Sequence, residues 1–302
     1  MTTFAKATFD TARYAAARPT YPRQLYDFVF QYHGRTPGAR WDTALDLGCG
    51  TGQATIELTP FKHVIGVDPS AKMVASARAA VAQRQGAFAS TQFEFRQAPA
   101  EAVASVADGT VDLVVAAQAA HWFDWAKVWP EVARLLRKDG SAAFWGYSEM
   151  RLSRFPALTP LINSYWNGTD PANSLGPYWQ QPGRSVLDGH LQAVPCAPDV
   201  LPGVFTGWEH VFFTGAHYPD LPSPRPVIVR KRLAWDDLLA YLYTASSLHT
   251  FHEHHPEDLQ RADGDIALRF WRALKEETQA VPGNEEAVDV EWPLALIMVK
   301  KV

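Results

Sequence analysis

Leu45-Asp46-Leu47-Gly48-Cys49-Gly50-Thr51-Gly52-Gln53 is the stretch on which the reading of this chain turns. An apolar run, Thr43-Ala44-Leu45, leads into Asp46, and glycines follow at alternate positions, Gly48, Gly50 and Gly52. Ala54 to Leu58 then reads as helix. Strand, glycine turn and helix form the first unit of a nucleotide-binding α/β fold. Its backbone must bend sharply and let a ligand lie against it with no Cβ between them.

The spacing separates two kinds of ligand. A dinucleotide fingerprint is Gly-x-Gly-x-x-Gly with its diphosphate on a helix N-terminus, and a P-loop needs Lys-Ser/Thr after its glycines. Here the pattern is Asp-x-Gly-x-Gly-x-Gly, with no such Lys. The next strand, Val64-Ile65-Gly66-Val67, ends in Asp68, and an acid there can take both hydroxyls of a ribose. Two carboxylates would repel a phosphate and welcome a cationic, amine-bearing nucleoside. S-adenosylmethionine has the ribose, the sulfonium and the ammonium, and no phosphate. The stretch resembles the glycine-rich motif of the class I S-adenosylmethionine-dependent methyltransferases, which makes that molecule the expected cofactor.

A chain of 302 residues that is 47% hydrophobic can bury a large core, in one domain or in one domain with an insertion. A net charge of -4 leaves no basic excess for a nucleic-acid footprint. Two cysteines, Cys49 and Cys196, give no disulfide framework, and no run of about 18 apolar residues suggests a membrane span. A soluble, cytoplasmic protein is expected, monomeric or homodimeric, with a small molecule as its partner and neither nucleic acid nor membrane. Of eleven tryptophans, ten follow position 120, so an aromatic pocket wall is expected there alongside ordinary core packing.

Strands are expected over 43–47, 63–67, 92–96, 111–116 and 141–146, and helices over 52–59, 70–84, 100–106 and 125–136. This alternation predicts a parallel sheet covered on both faces, with ligands at the carboxyl ends of its strands. Residues 148–233 break the rhythm and are rich in Pro, Gly and aromatics, which reads as an insertion over the active-site mouth. Short strands are expected at 211–213 and 227–229, helices over 235–245 and 259–275, and a closing strand region over 288–299 that Pro293 weakens or places at an edge. The domain reading is therefore 1–34 as an N-terminal lid over the cofactor, 35–147 as a Rossmann-like core, 148–233 as a substrate-binding insertion, and 234–302 as closing helices and strand. The class I resemblance implies an α/β, mostly parallel seven-stranded sheet. His249-Thr250-Phe251-His252-Glu253-His254-His255 lacks the His-Glu-x-x-His arrangement and reads as a solvated loop, so no metal is expected.

Further blocks narrow the resemblance. Tyr14-x-x-x-Arg18-Pro19-x-Tyr21-Pro22 is similar to the family's lid signature and implies that Tyr14 and Arg18 reach the methionyl part. Gln97-Ala98-Pro99 matches the turn that holds the adenine edge through its backbone, which points to Ala98. Many relatives carry an acid where this chain has Gln97. Ala120-His121-Trp122-Phe123-Asp124, Trp145-Gly146-Tyr147, Leu175 to Ser185, and Val229-Arg230-Lys231 resemble a fungal group that includes the trans-aconitate and cantharidin methyltransferases.

Methyl transfer from a sulfonium is an in-line displacement, and much of its rate comes from positioning in a dry pocket. A carboxylate acceptor is already ionised at pH 7, whereas a phenol or an ammonium needs a base nearby. The fungal group implies a carboxylate, and arginines suit its recognition. The candidate cofactor residues are Tyr14, Arg18, Asp46, Gly48, Gly50, Gly52, Asp68, Ala98 and Gln118. The candidate acceptor residues are Trp122, Tyr147, Tyr178, Trp179, Arg184 and Arg230, with His121 as donor or base. The alternatives are an O- or N-methyltransferase for a phenol, enol or amine, and a non-catalytic protein retaining the fold.

Overall fold

The computed structural model describes residues 16–84, 90–279, 281 and 283–302. In chain order the elements are α1 (Arg23–His33), β1 (Thr43–Leu47), β2 (His63–Asp68), α2 (Ala71–Ala82), β3 (Gln92–Gln97), β4 (Val111–Ala117), α3 (Trp125–Leu135), β5 (Leu136–Tyr147), β6 (Arg151–Leu152), α4 (Thr159–Asn167), α5 (Gly183–Asp188) and α6 (Ala197–Val200). They continue with β7 (Phe205–Phe213), β8 (Val229–Ala234), α7 (Trp235–Leu242), α8 (Ser246–His254), α9 (Ile266–Gln279), β9 (Ala287–Trp292) and β10 (Leu294–Lys301). The chain divides into two units. One is Thr20–Ser148, Ser185–Ile228 and Leu294–Val302; the other is Met1–Pro19, Glu149–Arg184 and Val229–Pro293. The insertion expected over 148–233 is thus shared between the units.

The first unit is built on a seven-stranded sheet of order β3-β2-β1-β4-β5-β10-β7. β1 to β5 run parallel, and β10 lies antiparallel between β5 and β7. The central strands have few polar positions because both faces are covered: Val111 to Ala116 of β4 are all buried. Trp129 of α3 is fully buried, and its indole N–H donates to the Pro195 carbonyl at 3.0 Å. The helix of the segment expected to act as a lid is a core element. α1 buries Leu25, Tyr26, Val29 and Phe30, and Lys300 of β10 donates to the His33 carbonyl at 3.2 Å.

Two expected helices are absent. Over 52–59 there is a single 3-10 turn, Thr55–Glu57. Thr51, Thr55, Ile56 and Thr59 are β-branched, and Pro60 closes a stretch too short for an α-helix to propagate. Over 100–106 the chain makes turns, because α3 side chains take its backbone groups. Glu131 Oε1 accepts the Val103 N–H at 2.6 Å, and Arg134 donates to the carbonyls of Val103 and Val106 at 3.2 and 2.9 Å.

The second unit carries a three-stranded antiparallel sheet, β6-β9-β8, with α7, α8 and α9. The strand region expected over 288–299 is two strands in two different sheets, β9 and β10, parted at Pro293. That residue has no N–H to donate and a fixed φ, so one ladder ends there. The histidine tract expected as a loop is largely helical in α8, because Leu248 and Phe251, one turn apart, bury one face.

Candidate active site

The first unit places the glycine turn, Asp46, Asp68 and the turns after β3, β4 and β5 at the carboxyl ends of the parallel strands. Asp46 is fully buried near the end of β1. Its Oδ2 accepts the Thr55 hydroxyl at 2.6 Å, and among the described residues its Oδ1 has no hydrogen-bond partner. Burial, opposed by the Thr55 bond and reinforced by the charge of Asp68, pushes the Asp46 carboxyl up to about 7. Thr55, which holds Asp46, is not among the residues that the sequence pointed to. Its signal was a hydroxyl one turn beyond the last glycine.

Asp68 closes β2 and joins three pieces of structure. Its Oδ2 accepts the Gly50 N–H at 3.0 Å, and its Oδ1 accepts the Ser70 N–H at 2.8 Å. Ser70 in turn caps α2 at the Met73 N–H. Burial raises the Asp68 carboxyl, and these two backbone donors oppose the shift.

The turn itself is tightly specified. Gly48 has φ +71°, and a Cβ there would stand 2.6 Å from the Ala119 Cβ, so the loop lies directly on the turn after β4. Gly50 has φ +53°, and a Cβ there would meet nothing within 4 Å. The first glycine serves packing; the second leaves open space over the backbone. The N–H groups of Gly48 and Cys49 both go to the Val67 carbonyl, and that of Gly50 goes to Asp68. With those donors spent, and a 3-10 turn in place of a helix N-terminus, the turn has little to offer a diphosphate. An ammonium, by contrast, would supply the donor that Asp46 Oδ1 lacks, so the residues fit S-adenosylmethionine.

Ala98 is half-buried, and its N–H donates to the Asp68 carbonyl at 3.2 Å. Gln118 has φ +55°, which is strained for a residue with a side chain. Its side-chain amide is bonded to the backbone of Tyr147. His121 is buried in the 3-10 turn Ala120–Trp122, its ring 4.7 Å from that of half-buried Trp122. Tyr147 is buried at the end of β5, with its ring 6.2 Å from Tyr21. A groove of about 460 Å³ among Thr43, His63, Gln92, Glu94 and Thr110 lies at the amino ends of β1, β2 and β3 and belongs to the other end of the sheet.

The second unit holds the remaining candidates; Tyr14 lies outside the described residues. Arg18 donates to the Thr244 carbonyl at 3.2 Å and sits 5.3 Å over the Tyr241 ring. Arg184 is buried. It donates to Glu149 at 3.1 Å and to Asn167 Oδ1 at 2.8 Å, and lies 4.3 Å over Trp179. Trp179 stacks on Trp166 at 5.7 Å. Arg151 also donates to Glu149, at 2.7 Å. Burial pushes the Glu149 carboxyl up, but the two guanidiniums prevail and hold it below its ordinary value. Tyr178 donates to the Pro171 carbonyl at 2.7 Å and meets His255 Nε2 at 2.6 Å. Arg230, on β8, pairs with Glu291 at 3.0 Å and is exposed. His252 Nε2 lies 3.5 Å from Asp265, and among the described residues no group of three or more His, Cys, Asp or Glu is arranged to hold a metal.

A parallel sheet closed by an antiparallel strand, a glycine turn and two acids together define a methyltransferase domain, and the methyltransferase-domain family matches residues 45–144. Residues 45–144 thus carry a methyltransferase domain, and the chain is similar to S-adenosylmethionine-dependent methyltransferases. Among its relatives is CRG1 of Saccharomyces cerevisiae, named a probable S-adenosylmethionine-dependent methyltransferase. The two are 33% identical over 62% of this chain and 61% of CRG1, so the match spans less than two thirds of that relative. A Dictyostelium discoideum protein provisionally named a methyltransferase is 25% identical over 95% of this chain and 92% of its own. Among solved structures, one from Anaeromyxobacter dehalogenans, provisionally named a type II methyltransferase, shares the fold. Its TM-score is 0.64 at 24% identity, over 93% of this chain and 97% of its own. Among the described residues, no helix is long and apolar enough to cross a membrane.

Proposed function

We propose that this chain methylates a carboxylate of a small organic acid, giving a methyl ester. Two observations carry the cofactor half of this reading: a buried Asp46 oxygen without a donor among the described residues, and open space over Gly50. Asp46 would hold the ammonium and Asp68 the ribose hydroxyls, with the Ala98 backbone at the adenine edge. Bound there, S-adenosylmethionine supplies a methyl group on a positively charged sulfur. The protein's own task is then to place the acceptor oxygen in line and to keep water out.

Three features support a carboxylate acceptor. An ionised acid needs no base, and the turn after β4 offers aromatic rings and one imidazole, with no Asp or Glu from Gln118 to Phe123. The second unit buries the Arg184 guanidinium over the Trp179 ring, a setting in which planar anions are recognised. The similarity of the later sequence blocks to the fungal carboxyl methyltransferases points the same way. Within the first unit, Trp122 and Tyr147 are the proposed acceptor residues. His121 favours a second reading, a phenol or enol acceptor whose proton the imidazole would take.

Incubation with methyl-labelled S-adenosylmethionine and a panel of acids, phenols and amines tests this. Label released as methanol by mild alkali supports the ester. Alkali-stable label on a phenol or amine rejects it.

A further inference from the structure

We infer that the Gln118 side chain is a positioning clamp that locks the Tyr147 end of β5 to the turn after β4. The ladder between β4 and β5 runs to Ala117 opposite Trp145, and the Gln118 N–H adds one more bond, to the Trp145 carbonyl at 2.8 Å. There the main chain turns away, with φ +55° at Gln118. The pairing nevertheless continues, through the side chain. Gln118 Nε2 donates to the Tyr147 carbonyl at 3.0 Å, and Gln118 Oε1 accepts the Tyr147 N–H at 2.7 Å. A primary amide carries the same donor and acceptor as a peptide group, so it can extend a ladder its own backbone has left. The two strand ends can therefore part, as a cleft at their carboxyl ends requires, without leaving the Tyr147 peptide groups unpaired in a buried place.

A backbone held in an unfavourable region by surrounding bonds is the mark of an over-determined site. With the backbone turned this way, the Gln118 amide faces β5 and makes both bonds. On the reading of this chain as a methyltransferase, the residues so fixed are the proposed acceptor contacts, where small misplacements cost rate.

Two variants separate the clamp from the fold. Gln118→Gly accepts the left-handed backbone without strain and removes the amide. Gln118→Glu keeps the shape. As a neutral acid it can reproduce both bonds, whereas as a carboxylate it cannot donate and faces the Tyr147 carbonyl. The readout is hydrogen exchange of the Tyr147 amide in protein labelled with 15N-tyrosine, taken relative to the parent chain at each pH. Calorimetric titration with S-adenosylhomocysteine and methyl-transfer kinetics on any acceptor found in the panel accompany it. The expected result for Gln118→Gly is exchange at Tyr147 about tenfold faster, with other tyrosine amides unmoved. Its kcat falls. For Gln118→Glu, protection of Tyr147, and kcat with it, return as pH is lowered. Parent-like exchange in Gln118→Gly, or a pH-independent Gln118→Glu, overturns the clamp. Failure of the parent chain to bind S-adenosylhomocysteine would instead sink the cofactor reading, and the exchange result would still decide the clamp.

Discussion

Asp68 Oδ2 lies 3.0 Å from the backbone nitrogen of Gly50, so the acid proposed to bind ribose also holds the glycine turn in shape. Two functions on one side chain make a specific prediction. Asp68→Asn keeps one acceptor for either Gly50 or Ser70 and loses the charge. It should bind S-adenosylhomocysteine at least about tenfold more weakly while losing about 1 kcal/mol of stability. Asp68→Ala should lose binding altogether and unfold several degrees lower. Titration calorimetry and thermal denaturation read the two effects separately.

Asp46 should make cofactor binding depend on pH. Its carboxyl is pushed up to about 7, chiefly by burial, and an ammonium binds only the ionised form. Affinity should therefore be flat above about pH 7 and fall toward tenfold per unit below it, as expected when Asp46 must release one proton for the ligand to bind. The stability of the free protein runs in the opposite sense. A carboxyl raised above its unfolded value favours the native state while it is protonated. Stability should then decline as pH rises from about 4 to about 7, by up to about 1.4 kcal/mol per unit. Asp46→Asn should abolish both dependences, as affinity measured from pH 5.5 to 8.5 and denaturant melts would reveal.

Gly48 and Gly50 should fail differently when given a methyl group. Gly48→Ala places a Cβ 2.6 Å from that of Ala119 at a left-handed φ, and should cost about 3 kcal/mol. Gly50→Ala meets nothing, so only its φ of +53° is strained, at about 1 kcal/mol. The methyl would nevertheless project into the space proposed for the ligand. The predicted pattern is a large drop in melting temperature for Gly48→Ala, and for Gly50→Ala a small drop with most of the cofactor affinity gone.

Glu149 should be a stability residue. It is buried between Arg151 and Arg184, and Glu149→Gln would leave two guanidiniums facing a neutral amide. The cost should be about 3 kcal/mol at pH 7, by denaturant unfolding. Because the guanidiniums hold its carboxyl below the ordinary value, the stabilisation is present above that value and is lost as pH falls through the folded one. Acid unfolding should accordingly be less steep in the variant than in the parent chain.

The cradle was legible in the sequence because its determinants are local. Asp46, the three glycines, Asp68 and the Ser70 cap lie within 25 consecutive positions and bond mostly to one another. The missing helix over 100–106 was not legible, because side chains distant in sequence decide it: Glu131 and Arg134 reach back about 30 residues to take the backbone of Val103 and Val106. Pro293 was read as a weakness in one strand, yet it parts two strands belonging to different sheets. A period-two pattern continues through that proline and cannot reveal the change. The partners of Arg184 and Tyr178, namely Glu149, Asn167 and His255, were equally out of reach, since nothing local couples residue 178 to residue 255. The peptide-mimicking role of Gln118 needed the φ of its own backbone to be seen.

The most direct test of the two-acid cradle is a calorimetric titration of the chain with S-adenosylmethionine and, separately, with NAD at pH 8. One S-adenosylmethionine per chain, with affinity lost in both Asp46→Ala and Asp68→Ala and no heat from NAD, is the predicted result. Saturable NAD binding, or silence toward S-adenosylmethionine at millimolar concentration, would contradict it.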